Sequence, residues 1–404
     1  MSQTLEQIAQ QLHSTDKKVQ LIYAFNGTGK TRLSRTLKNL VVPRSDEGED
    51  GELSREKILY YNAFTEDLFY WDNDLVDDSD PKLVIQPNTF TDWILGERGL
   101  DQEILANFQR YTDDKLTPSF VVKTEQVTNK DGKRENRNTY PQVTFAFDRG
   151  TERSTGVKLS KGEESNLIWS VFFSLLKEVV GLLQEAKENE DQEPQFGQLE
   201  YVFIDDPVSS LDDTHLIELA VDLADVIKST EADLKFIITT HNPLFYNVLH
   251  NEFGNKYYKN PESIDRKLVY KPSKSAKYRL EKKTDGTYQL NEQANDAPFS
   301  YHLLLMAELK KAVDADSVQK YHFNFLRNVL EKTATFWGYR RWSDLLPKID
   351  GNPDPFANRI VNLSSHSAHS GEEVAEIESN DKDKLRELVE HLFTKYQFLK
   401  PKAE

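Results

Sequence analysis

One segment of the sequence combines the residues that hold the phosphates of a nucleotide. Residues 24–31, AFNGTGKT, fit the pattern G-x-x-x-x-G-K-[ST] at every fixed position except the first, where Ala24 replaces glycine. The backbone N–H groups of such a loop, together with the start of the following helix, point at the phosphates. Lys30 would reach the β- and γ-phosphates, and the Thr31 hydroxyl would ligate Mg²⁺. The predicted nucleotide-binding residues of this loop are Asn26, Gly27, Gly29, Lys30 and Thr31.

A second segment supplies carboxylates for the same chemistry. Residues 201–206, YVFIDD, are four apolar residues followed by Asp205 and Asp206. We expect Asp205 to contact Mg²⁺, directly or through water, because carboxylate oxygens suit this cation. Asp206 resembles, by its position after this segment, the glutamate that polarises the attacking water in ABC-type ATPases. Aspartate is one methylene shorter than glutamate, so we expect slow hydrolysis or a differently placed water.

Three further segments follow the order found in ABC-type ATPases. LSKGEE (159–164) resembles the ABC signature, SSLD (209–212) resembles the D-loop, and ITTH (238–241) ends where that family has its switch histidine. The signature element of that family binds the γ-phosphate held by the partner subunit. One copy of each motif therefore implies a head-to-tail homodimer when nucleotide is bound. The residues carried over are Ser160, Gly162, Glu163, Asp212 and His241.

The elements that must position these motifs alternate between strands and helices. LIYAF before the glycine loop and LKFIITT before His241 read as buried strands, and residues 159–184 read as a helix with an apolar face. This pattern predicts an α/β ABC-type ATPase head, a mixed sheet with flanking helices, over residues 1–262. A mostly α-helical C-terminal domain is expected over residues 263–404. Sustained heptads are missing from the sequence, which excludes long coiled-coil arms.

Composition narrows the class of protein. The 404 residues carry a formal charge of −16 and no cysteine, so disulfides and thiolate metal sites are excluded. The charge disfavours indiscriminate coating of nucleic acid. Apolar runs fall short of the roughly 20 residues of a membrane span, and we expect a soluble, cytoplasmic protein without membrane contact. Residues 266–283 hold eight basic residues and one acid. With Tyr270 and Tyr278 they could bind phosphates and stack bases, or form a solvated hairpin.

The C-terminal region contains residue types that cleave RNA without a metal. Arg327 and Glu331 are four residues apart, so they share one face of a helix. Arg359 and His366 follow in a serine-rich segment. One such group can deprotonate the ribose 2′-OH, another can protonate the leaving 5′-oxygen, and arginine can stabilise the phosphorane. The products would be 2′,3′-cyclic phosphate and 5′-OH ends. The alternative is a surface Arg–Glu salt bridge beside a structural histidine.

Several blocks along nearly the whole chain resemble the PrrC family of bacterial anticodon nucleases. They include AFNGTGKTRLSR, KILYYNAFTEDLFYWDND, LSKGEESNLIWSVF, YVFIDDPVSSLDD and the C-terminal YHF, LRN, EKTA and SSHS. The resemblance implies an NTPase head that uses ATP or GTP, followed by a HEPN-like ribonuclease domain. It places the catalytic Arg-x-x-x-Glu on Arg327 and Glu331 and the catalytic histidine on His366. The spacing from Arg359 to His366 resembles the R-x₆-H pattern of HEPN ribonucleases.

The same resemblance implies a biological setting and a substrate. It implies cleavage of a tRNA anticodon loop, that of tRNA-Lys, by a toxin that acts in phage defence. The toxin would be kept latent beside a type I restriction–modification complex. Residues just before the nuclease helices help to read the anticodon in that family, and NDAPFSYH (295–302) occupies this stretch. Asp296 is predicted to accept hydrogen bonds from the wobble base, and Phe299 to stack on it.

Two other functions are compatible with the motifs. The first is a metal-dependent DNA nuclease of Toprim type, for which Asp314 and Asp316 offer a D-x-D. Toprim chemistry requires that motif after an apolar strand, whereas here it follows a helical pattern, and capping of the next helix is the alternative role. The second is a non-catalytic ABC-type switch that controls a partner nuclease. RNA cleavage in EDTA separates these hypotheses, because only metal-free chemistry survives chelation.

Overall fold

The nucleotide motifs lie at the edge of a six-stranded sheet in a computed structural model. The structure describes residues 2–42, 57–62, 68–72, 82–88, 91–128, 134–148, 153–188, 196–207, 211–263, 265–283, 285–293, 301–355, 357 and 378–396. The chain divides into two compact units, Met1–Pro298 and Phe299–Glu404. We call the first unit the head and the second the C-terminal unit, and each is described by itself.

The helices of both units follow the sequence patterns closely. Side-chain caps fix several of their first residues: Thr4 and Gln7 form a reciprocal capping box, and Asn242 caps the helix that begins with Pro243. The helices are α1 (Leu5–Ser14), α2 (Lys30–Val41), α3 (Asp101–Arg110), α4 (Lys161–Glu188), α5 (Asp213–Ser229), α6 (Pro243–Glu252), α7 (Tyr301–Asp314), α8 (Lys320–Trp337) and α9 (Ser379–Tyr396), with a π-helix at Asp92–Glu97 and 3₁₀ turns at Pro272–Lys274 and Trp342–Leu345.

The strands form one mixed sheet and several antiparallel pieces. They are β1 (Val19–Tyr23), β2 (Ile58–Tyr61), β3 (Phe69–Asp72), β4 (Lys82–Ile85), β5 (Leu116–Thr128), β6 (Arg134–Asp148), β7 (Arg153–Thr155), β8 (Tyr201–Asp205), β9 (Lys235–Thr240), β10 (Tyr257–Lys259), β11 (Lys267–Tyr270), β12 (Ser275–Lys282), β13 (Tyr288–Gln293), β14 (Lys348–Ile349) and β15 (Asn352–Pro353). The main sheet has the order β13-β12-β1-β9-β8-β2, and a second sheet has the order β3-β4-β6-β5 with β7 beside β6.

The main sheet is parallel except at one edge. Strand β1 pairs in parallel with β9 and with β12, β8 pairs in parallel with β9 and β2, and the edge strand β13 runs antiparallel to β12. The carboxyl ends of β1, β8 and β9 therefore meet at one edge, which is where open α/β sheets bind ligands. The predicted α/β head with a mixed sheet and flanking helices is confirmed.

Helices cover both faces of this sheet. Leu5 and Leu33, from α1 and α2, share a buried cluster with Phe203 of β8. Tyr60 packs against that cluster, whereas its neighbour Tyr61 contacts Trp169 of α4, with ring centroids 5.2 Å apart. Successive residues of a strand point to opposite faces. Helix α4 thus covers the face opposite to α1 and α2.

The predicted domain boundary needs correction. We expected the head to end near residue 262, but the structure places the division after Pro298. The short β-like pieces assigned to the second domain include β12, which pairs with β1 from Val19↔Ser275 to Tyr23↔Arg279. A strand hydrogen-bonded along the whole length of the head's first strand belongs to the head. Hydrophobic pattern alone does not reveal such a long-range partner.

Helix α4 also corrects the expectation about apolar runs. Its segment Lys161–Lys187 is long and apolar enough to span a membrane by length and composition, and 72% of the qualifying window is buried inside the protein. A core helix of a soluble protein passes the same test. Its contacts with β2 identify α4 as part of the head's core.

The C-terminal unit is mostly helical, as predicted. Buried leucines of α7, α8 and α9, such as Leu305, Leu326 and Leu388, form its core. Lys384 of α9 forms an ion pair with the nearly fully buried Asp354 at 2.7 Å, which ties the β14–β15 region to α9. The unit therefore has an apolar interior of its own.

Candidate functional site

The glycine loop has the conformation that phosphate binding requires. It follows β1 directly, and Ala24 donates its N–H to the Thr240 carbonyl at 3.0 Å, so Ala24 replaces glycine without strain on the strand exit. Gly27 and Gly29 have φ of +77° and +104°, which favour glycine. Lys30 is the first residue of α2, is 7% exposed, and donates from Nζ to Asn26 Oδ1 at 3.0 Å. The loop, the lysine and the helix start thus meet at the carboxyl end of β1.

Asp205 and Thr31 form an oxygen pair that fits a magnesium ion. The Thr31 hydroxyl donates to Asp205 Oδ2 at 2.7 Å, and the Thr239 hydroxyl donates to Asp205 Oδ1 at 2.5 Å. Asp205 is 4% exposed, and burial raises its pKa above the usual range. Within the described residues no ion pair reaches this carboxylate. A divalent cation at these hard oxygen ligands would supply the missing positive charge, so the donor set fits Mg²⁺.

Asp206 is held by three groups at once. Its Oδ2 accepts from His241 Nδ1 and lies 3.4 Å from Lys30 Nζ, while its Oδ1 accepts from His241 N and the Thr240 hydroxyl, both at 3.2 Å. Burial raises the pKa of Asp206, but the His241 hydrogen bonds and the Lys30 charge outweigh it, and the net pKa is below the usual range. Asp206 has φ of +54°, and its N–H donates to the Thr239 carbonyl at 2.8 Å. This backbone turn aims the carboxylate at the loop lysine.

His241 therefore has a defined tautomer. An ionised carboxylate only accepts hydrogen bonds, so His241 Nδ1 carries the proton shared with Asp206. The other ring nitrogen, Nε2, is left for a group beyond the strand end. The motifs identified Asp206 and His241 separately. They did not identify Thr239 and Thr240, whose signal was a pair of hydroxyls at the end of an otherwise apolar strand.

The signature segment forms a helix cap. Ser160 N donates to Glu163 Oε2 at 2.6 Å, and Glu163 N donates to Ser160 Oγ at 3.3 Å, which is a reciprocal capping box at the start of α4. Ser160 is exposed and Gly162 is half-buried. The start of α4 thus presents an ordered serine and backbone N–H groups, the arrangement that binds anions at helix starts.

Asp212 has a similar structural role at α5. Its Oδ1 accepts from the N–H groups of Thr214 at 3.0 Å and His215 at 3.1 Å, and its Oδ2 lies 2.7 Å from His215 Nδ1. These His215 hydrogen bonds lower the pKa of Asp212. The preceding D-loop residues 208–210 lie outside the described part of the chain.

In the C-terminal unit, Arg327 and Glu331 lie on one face of α8. Arg327 Nε donates to Glu331 Oε1 at 2.8 Å, and the side chains are 30% and 48% exposed. The two side chains are thus held together by a hydrogen bond and are partly exposed to solvent. Nearby, His302 of α7 is hydrogen-bonded to Asn328, the residue that follows Arg327, and burial lowers the pKa of His302. This histidine carried no signal in the sequence, because α7 and α8 meet only in the folded unit.

An exposed aromatic surface follows at the end of α8. Phe336 is 88% exposed, Trp337 62% and Tyr339 41%, and the next residues, Arg340 and Arg341, are exposed as well. We call these five residues the aromatic surface. Contiguous exposed apolar groups usually mark an interaction site. Its signal in the sequence was FWGYRRW, where aromatics lie on both sides of the glycine that ends the helix.

The aspartates of the Toprim hypothesis do not form a metal site. Asp314 is the last residue of α7 and pairs with Lys310, and Asp316 pairs with Arg386 at 3.1 Å. No strand precedes them in the described C-terminal unit, and no described group of three or more His, Asp or Glu could hold a metal. The capping role expected for these aspartates is wrong too, because Gln319 caps α8.

The basic segment 266–283 is not a hairpin. It runs through β11, a 3₁₀ turn and β12, and Tyr270 and Tyr278 are buried in the head, where they cannot stack on bases. Lys277 is fully buried as well. The predicted interleaving of aromatic and basic groups on one surface is therefore wrong. Strand β12 lies between β1 and β13 in the main sheet, and both tyrosines are buried there or beside it.

Four predicted residues lie outside the described part of the chain. They are Arg359 and His366, expected in RNA cleavage, and Asp296 and Phe299, expected in anticodon recognition.

Comparison with known proteins agrees with this arrangement. A family model described as AAA domain matches residues 134–394, which include Asp205, Asp206 and His241. A protein named anticodon nuclease from Escherichia coli is 48% identical over 420 residues, spanning 97% of this chain and 96% of that protein. The chain belongs to the anticodon nuclease family. The similarity to this family inferred from the sequence blocks is confirmed.

Solved structures match the chain more distantly. An Smc head domain with a coiled coil and joint derived from Pyrococcus yayanosii covers 50% of this chain and 28% of its own, with 9% identity and a TM-score of 0.28. An SmcHead bound to the C-winged helix domain of ScpA covers 70% of this chain and 91% of its own, with 10% identity and a TM-score of 0.32. These scores are too low to support a conclusion, and the fold rests on the strand order above.

Proposed function

We propose that this protein is an NTP-gated endoribonuclease that cuts a tRNA in its anticodon loop, tRNA-Lys being the expected substrate. Membership of the anticodon nuclease family supports the substrate class. The observation that carries the chemistry is the Arg327–Glu331 pair, hydrogen-bonded at 2.8 Å on an accessible face of α8. A positioned carboxylate and guanidinium are what metal-free cleavage through the ribose 2′-OH requires.

The roles follow from charge and position. Arg327 would stabilise the negative charge that develops on the scissile phosphate, because its guanidinium cannot lose its proton at neutral pH. Glu331 accepts a hydrogen bond from Arg327 and fits the role of base toward the 2′-OH. His366 and Arg359 would complete the centre, with His366 as the acid toward the 5′-oxygen. The expected ends are 2′,3′-cyclic phosphate and 5′-OH.

The head would gate this reaction. Lys30 and the glycine loop bind the nucleotide phosphates, and Thr31 with Asp205 holds Mg²⁺. When bound, Mg²⁺ neutralises charge on the β- and γ-phosphate oxygens. Asp206 and His241 lie beside the γ-phosphate position and suit the orientation of the attacking water. Ser160, Gly162 and Glu163 at the start of α4, with Asp212 before α5, would contact the nucleotide of a second copy, so that two heads close as a homodimer. Both ATP and GTP fit this scheme.

The aromatic surface supports RNA as the substrate. Unpaired bases of RNA loops stack on aromatic rings and arginine planes, and Phe336 with Arg340 and Arg341 offers both groups at the end of the helix that carries Arg327. Stacking contributes about 1–3 kcal/mol per base. A Phe336→Ala, Trp337→Ala variant should bind the tRNA about tenfold to hundredfold more weakly. Leu40→Ala in the head, also an exposed apolar residue, is the control.

The decisive experiment is the mapping of new 5′-OH ends in RNA from cells that express wild type or His366→Ala. Ends within one anticodon loop that vanish in the variant would support the whole proposal. Cuts that persist would place the active site elsewhere.

A chelation experiment separates the competing chemistries. Purified full-length protein that has been activated with nucleotide should continue to cut isolated tRNA after EDTA is added. EDTA also removes Mg²⁺ from the nucleotide site, so bound nucleotide is measured in the same sample. Cleavage that stops on chelation while nucleotide stays bound, and that returns with added metal, would instead favour the metal-dependent nuclease chemistry. No cleavage under any condition would favour the non-catalytic switch.

The cellular setting is part of the proposal. A cytoplasmic toxin in phage defence, silenced by a type I restriction–modification complex, agrees with family membership. Co-purification of the chain with such a complex, and suppression of tRNA cleavage in its presence, would test this. Free activity in the presence of the complex would count against it.

A further inference from the structure

A cleft on the head collects lysines from five separate segments of the chain. Its cavity has a volume of about 520 Å³. We call it the lysine cleft and define it by its charged lining residues: Asp16, Lys17, Lys18, Lys187, Glu231, Asp233, Lys235, Lys267 and Lys274. All of them belong to the head. Nothing in the nucleotide chemistry described above uses this cleft.

The lysine cleft lies at the opposite end of the strands from the nucleotide site. Lys17 and Lys18 precede β1, Lys235 begins β9, and Lys274 precedes β12. These three strands are parallel, so their first residues share one edge of the sheet. The glycine loop follows the last residues of β1 at the other edge. Five to six strand residues separate the edges by roughly 17–20 Å.

Positive charge in the lysine cleft is only partly compensated. Six lysines face three acidic residues there, an excess of three positive charges (6 − 3) in a chain whose net charge is −16. Of the acids, Asp16 and Asp233 are exposed to solvent. Glu231 accepts from Lys267 at 2.5 Å. The net charge of the lining is therefore positive, whereas that of the whole protein is negative.

Four of these ammonium groups donate to neutral backbone oxygens, one of them Lys274, which donates to the Val269 carbonyl at 3.4 Å. Lys17 Nζ donates to the Ser273 carbonyl at 2.7 Å and Lys187 Nζ to the Glu231 carbonyl at 2.9 Å. Lys18 Nζ donates to the Thr230 carbonyl. A carbonyl fixes the direction of an ammonium group without cancelling its charge. The remaining N–H groups of each ammonium stay available to an anion, because a lysine carries three donors.

The lysines also repel one another. Burial, followed by the charge of Lys274, lowers the pKa of Lys18 to about 8; Lys187 adds to this effect, and Glu231 opposes it. A bound anion would relieve both the desolvation and the repulsion. The groups that surround Lys18 from the neighbouring segments are Asp16, Lys17, Lys187, Glu231, Asp233, Lys235, Lys267 and Lys274.

We propose that the lysine cleft is a second phosphate-binding site of the head, distinct from the glycine loop. Its ligand is a run of phosphate groups, either a free polyphosphate chain or the sugar–phosphate backbone of RNA. Lysine ammonium groups bind phosphate as point charges, and an excess of three charges matches a multiply charged anion better than a single carboxylate. The RNA source rests on the proposed function, whereas the polyphosphate source does not.

The test uses the full-length protein in a Lys30→Ala background, which removes the loop lysine from phosphate binding. The cleft variant is Lys187→Gln, Lys274→Gln, since both side chains are exposed at the rim. The control variant is Lys115→Gln, Lys123→Gln, which changes the charge of the head equally at exposed positions outside the cleft. Calorimetry with inorganic tripolyphosphate forms one arm. Binding of tRNA over a range of salt concentrations forms the other.

The two sources give different results. For free polyphosphate, tripolyphosphate binds the control variant and its affinity falls at least tenfold in the cleft variant. For RNA, the slope of log affinity against log salt falls by about two in the cleft variant, one for each lysine removed, and is unchanged in the control. Equal binding of both probes by the two variants overturns the proposal. If wild type cuts no tRNA, the proposed function fails while the tripolyphosphate arm still decides this site.

The pH dependence of tripolyphosphate affinity provides a second test, which does not require the double variant to fold. Because Lys18 loses its proton near pH 8, tripolyphosphate affinity should fall severalfold between pH 7 and pH 9 in the otherwise unaltered cleft. Lys18→Arg stays charged over this range and should flatten the dependence. An identical pH profile in both proteins would contradict a direct role of Lys18 in binding.

Discussion

The nucleotide site and the Arg327–Glu331 pair are built in different ways. Lys30 and Asp205 are 7% and 4% exposed; Asp205 ends β8, and Lys30 begins the helix that follows β1 after the glycine loop. Arg327 and Glu331 have side chains 30% and 48% exposed, and one helix positions both. The head site thus depends on the register of neighbouring strands, whereas the Arg327–Glu331 pair depends on helical pitch. A site of the second kind can be covered or exposed without unfolding its unit, which suits a gated activity.

Neighbouring carboxylates in the head show how closely that site is tuned. Burial raises the pKa of Asp205, while His241 and Lys30 overcome burial and lower the pKa of Asp206. The charge of Asp205 is available to a metal ion, whereas the charge of Asp206 is already stabilised by protein groups. The Arg327–Glu331 pair needs no such opposite pKa shifts, since water screens exposed charges.

The largest effect of a substitution is expected for RNA cleavage when the Arg327–Glu331 pair is changed. Glu331→Gln should lower RNA cleavage by about 10²–10⁴-fold, the usual contribution of a positioned acid–base group. Nucleotide binding should be unchanged, because the residue belongs to the other unit. The measurement is the yield of 5′-OH ends from purified tRNA with the nucleotide-activated protein.

Asp314→Asn is the matched control for this substitution. Like Glu331, Asp314 pairs with a basic residue four positions away on a helix of the same unit. Lys310 Nζ lies 3.3 Å from Asp314 Oδ2. Its removal should leave cleavage within about twofold, as surface ion pairs contribute little. If Asp314→Asn abolished cleavage and Glu331→Gln did not, the metal-dependent role of the D-x-D would be favoured instead.

A smaller effect is expected at the loop lysine. Lys30→Ala should weaken nucleotide binding about tenfold to hundredfold, since charge-assisted hydrogen bonds contribute about 1.5–3 kcal/mol. A fluorescent nucleotide analogue measures this directly. Lys38→Ala, on the same helix but exposed in its last turn, is the control. If the two variants bound the nucleotide analogue with equal affinity, Lys30 would have no role in phosphate binding.

The two carboxylates should respond to substitution with opposite signs. The pKa of Asp206 is lower in the folded protein, so its contribution to stability is present above the unfolded value near 3.8 and is lost as the pH falls through the folded pKa. Asp206→Asn should therefore lower the melting temperature at pH 7 and lower it by less at pH 3.

For Asp205 the folded pKa is raised, so its ionised form destabilises the fold above that pKa. Asp205→Asn should leave the melting temperature at pH 7 in EDTA unchanged or higher. Added Mg²⁺ should stabilise wild type more than this variant. Melting curves at both pH values, with and without Mg²⁺, check the pair, and decreases of equal size at pH 7 in EDTA would contradict the assigned environments.

The smallest effect is expected at the cap of α5. Asp212→Ala removes the acceptor for Thr214 and His215 and should reduce the free energy of unfolding by about 1 kcal/mol. Urea unfolding measures it, with Asp213→Ala as control. An unchanged stability together with impaired nucleotide-dependent dimerisation would assign Asp212 to the D-loop role alone.

Local rules made much of the head predictable. The glycine loop is eight consecutive residues whose backbone conformation is set by Gly27 and Gly29, so its function can be read from spacing. The boundary was not predictable in the same way. Strand β12 joins the head through pairing with β1, some 256 residues apart at Val19 and Ser275 (275 − 19), and a short β-like segment carries no mark of its partner.

The sequence by itself determined the order of the nucleotide motifs and the shared face of Arg327 and Glu331, because loop conformation and helical pitch act within a few residues. Only the tertiary structure decided which groups surround each charge. Thr239 and Thr240 reach Asp205 and Asp206 through the pairing of β8 with β9, and the lysines of the cleft meet because three parallel strands begin at one edge. Contacts of this kind depend on strand register, and register is a property of the assembled sheet.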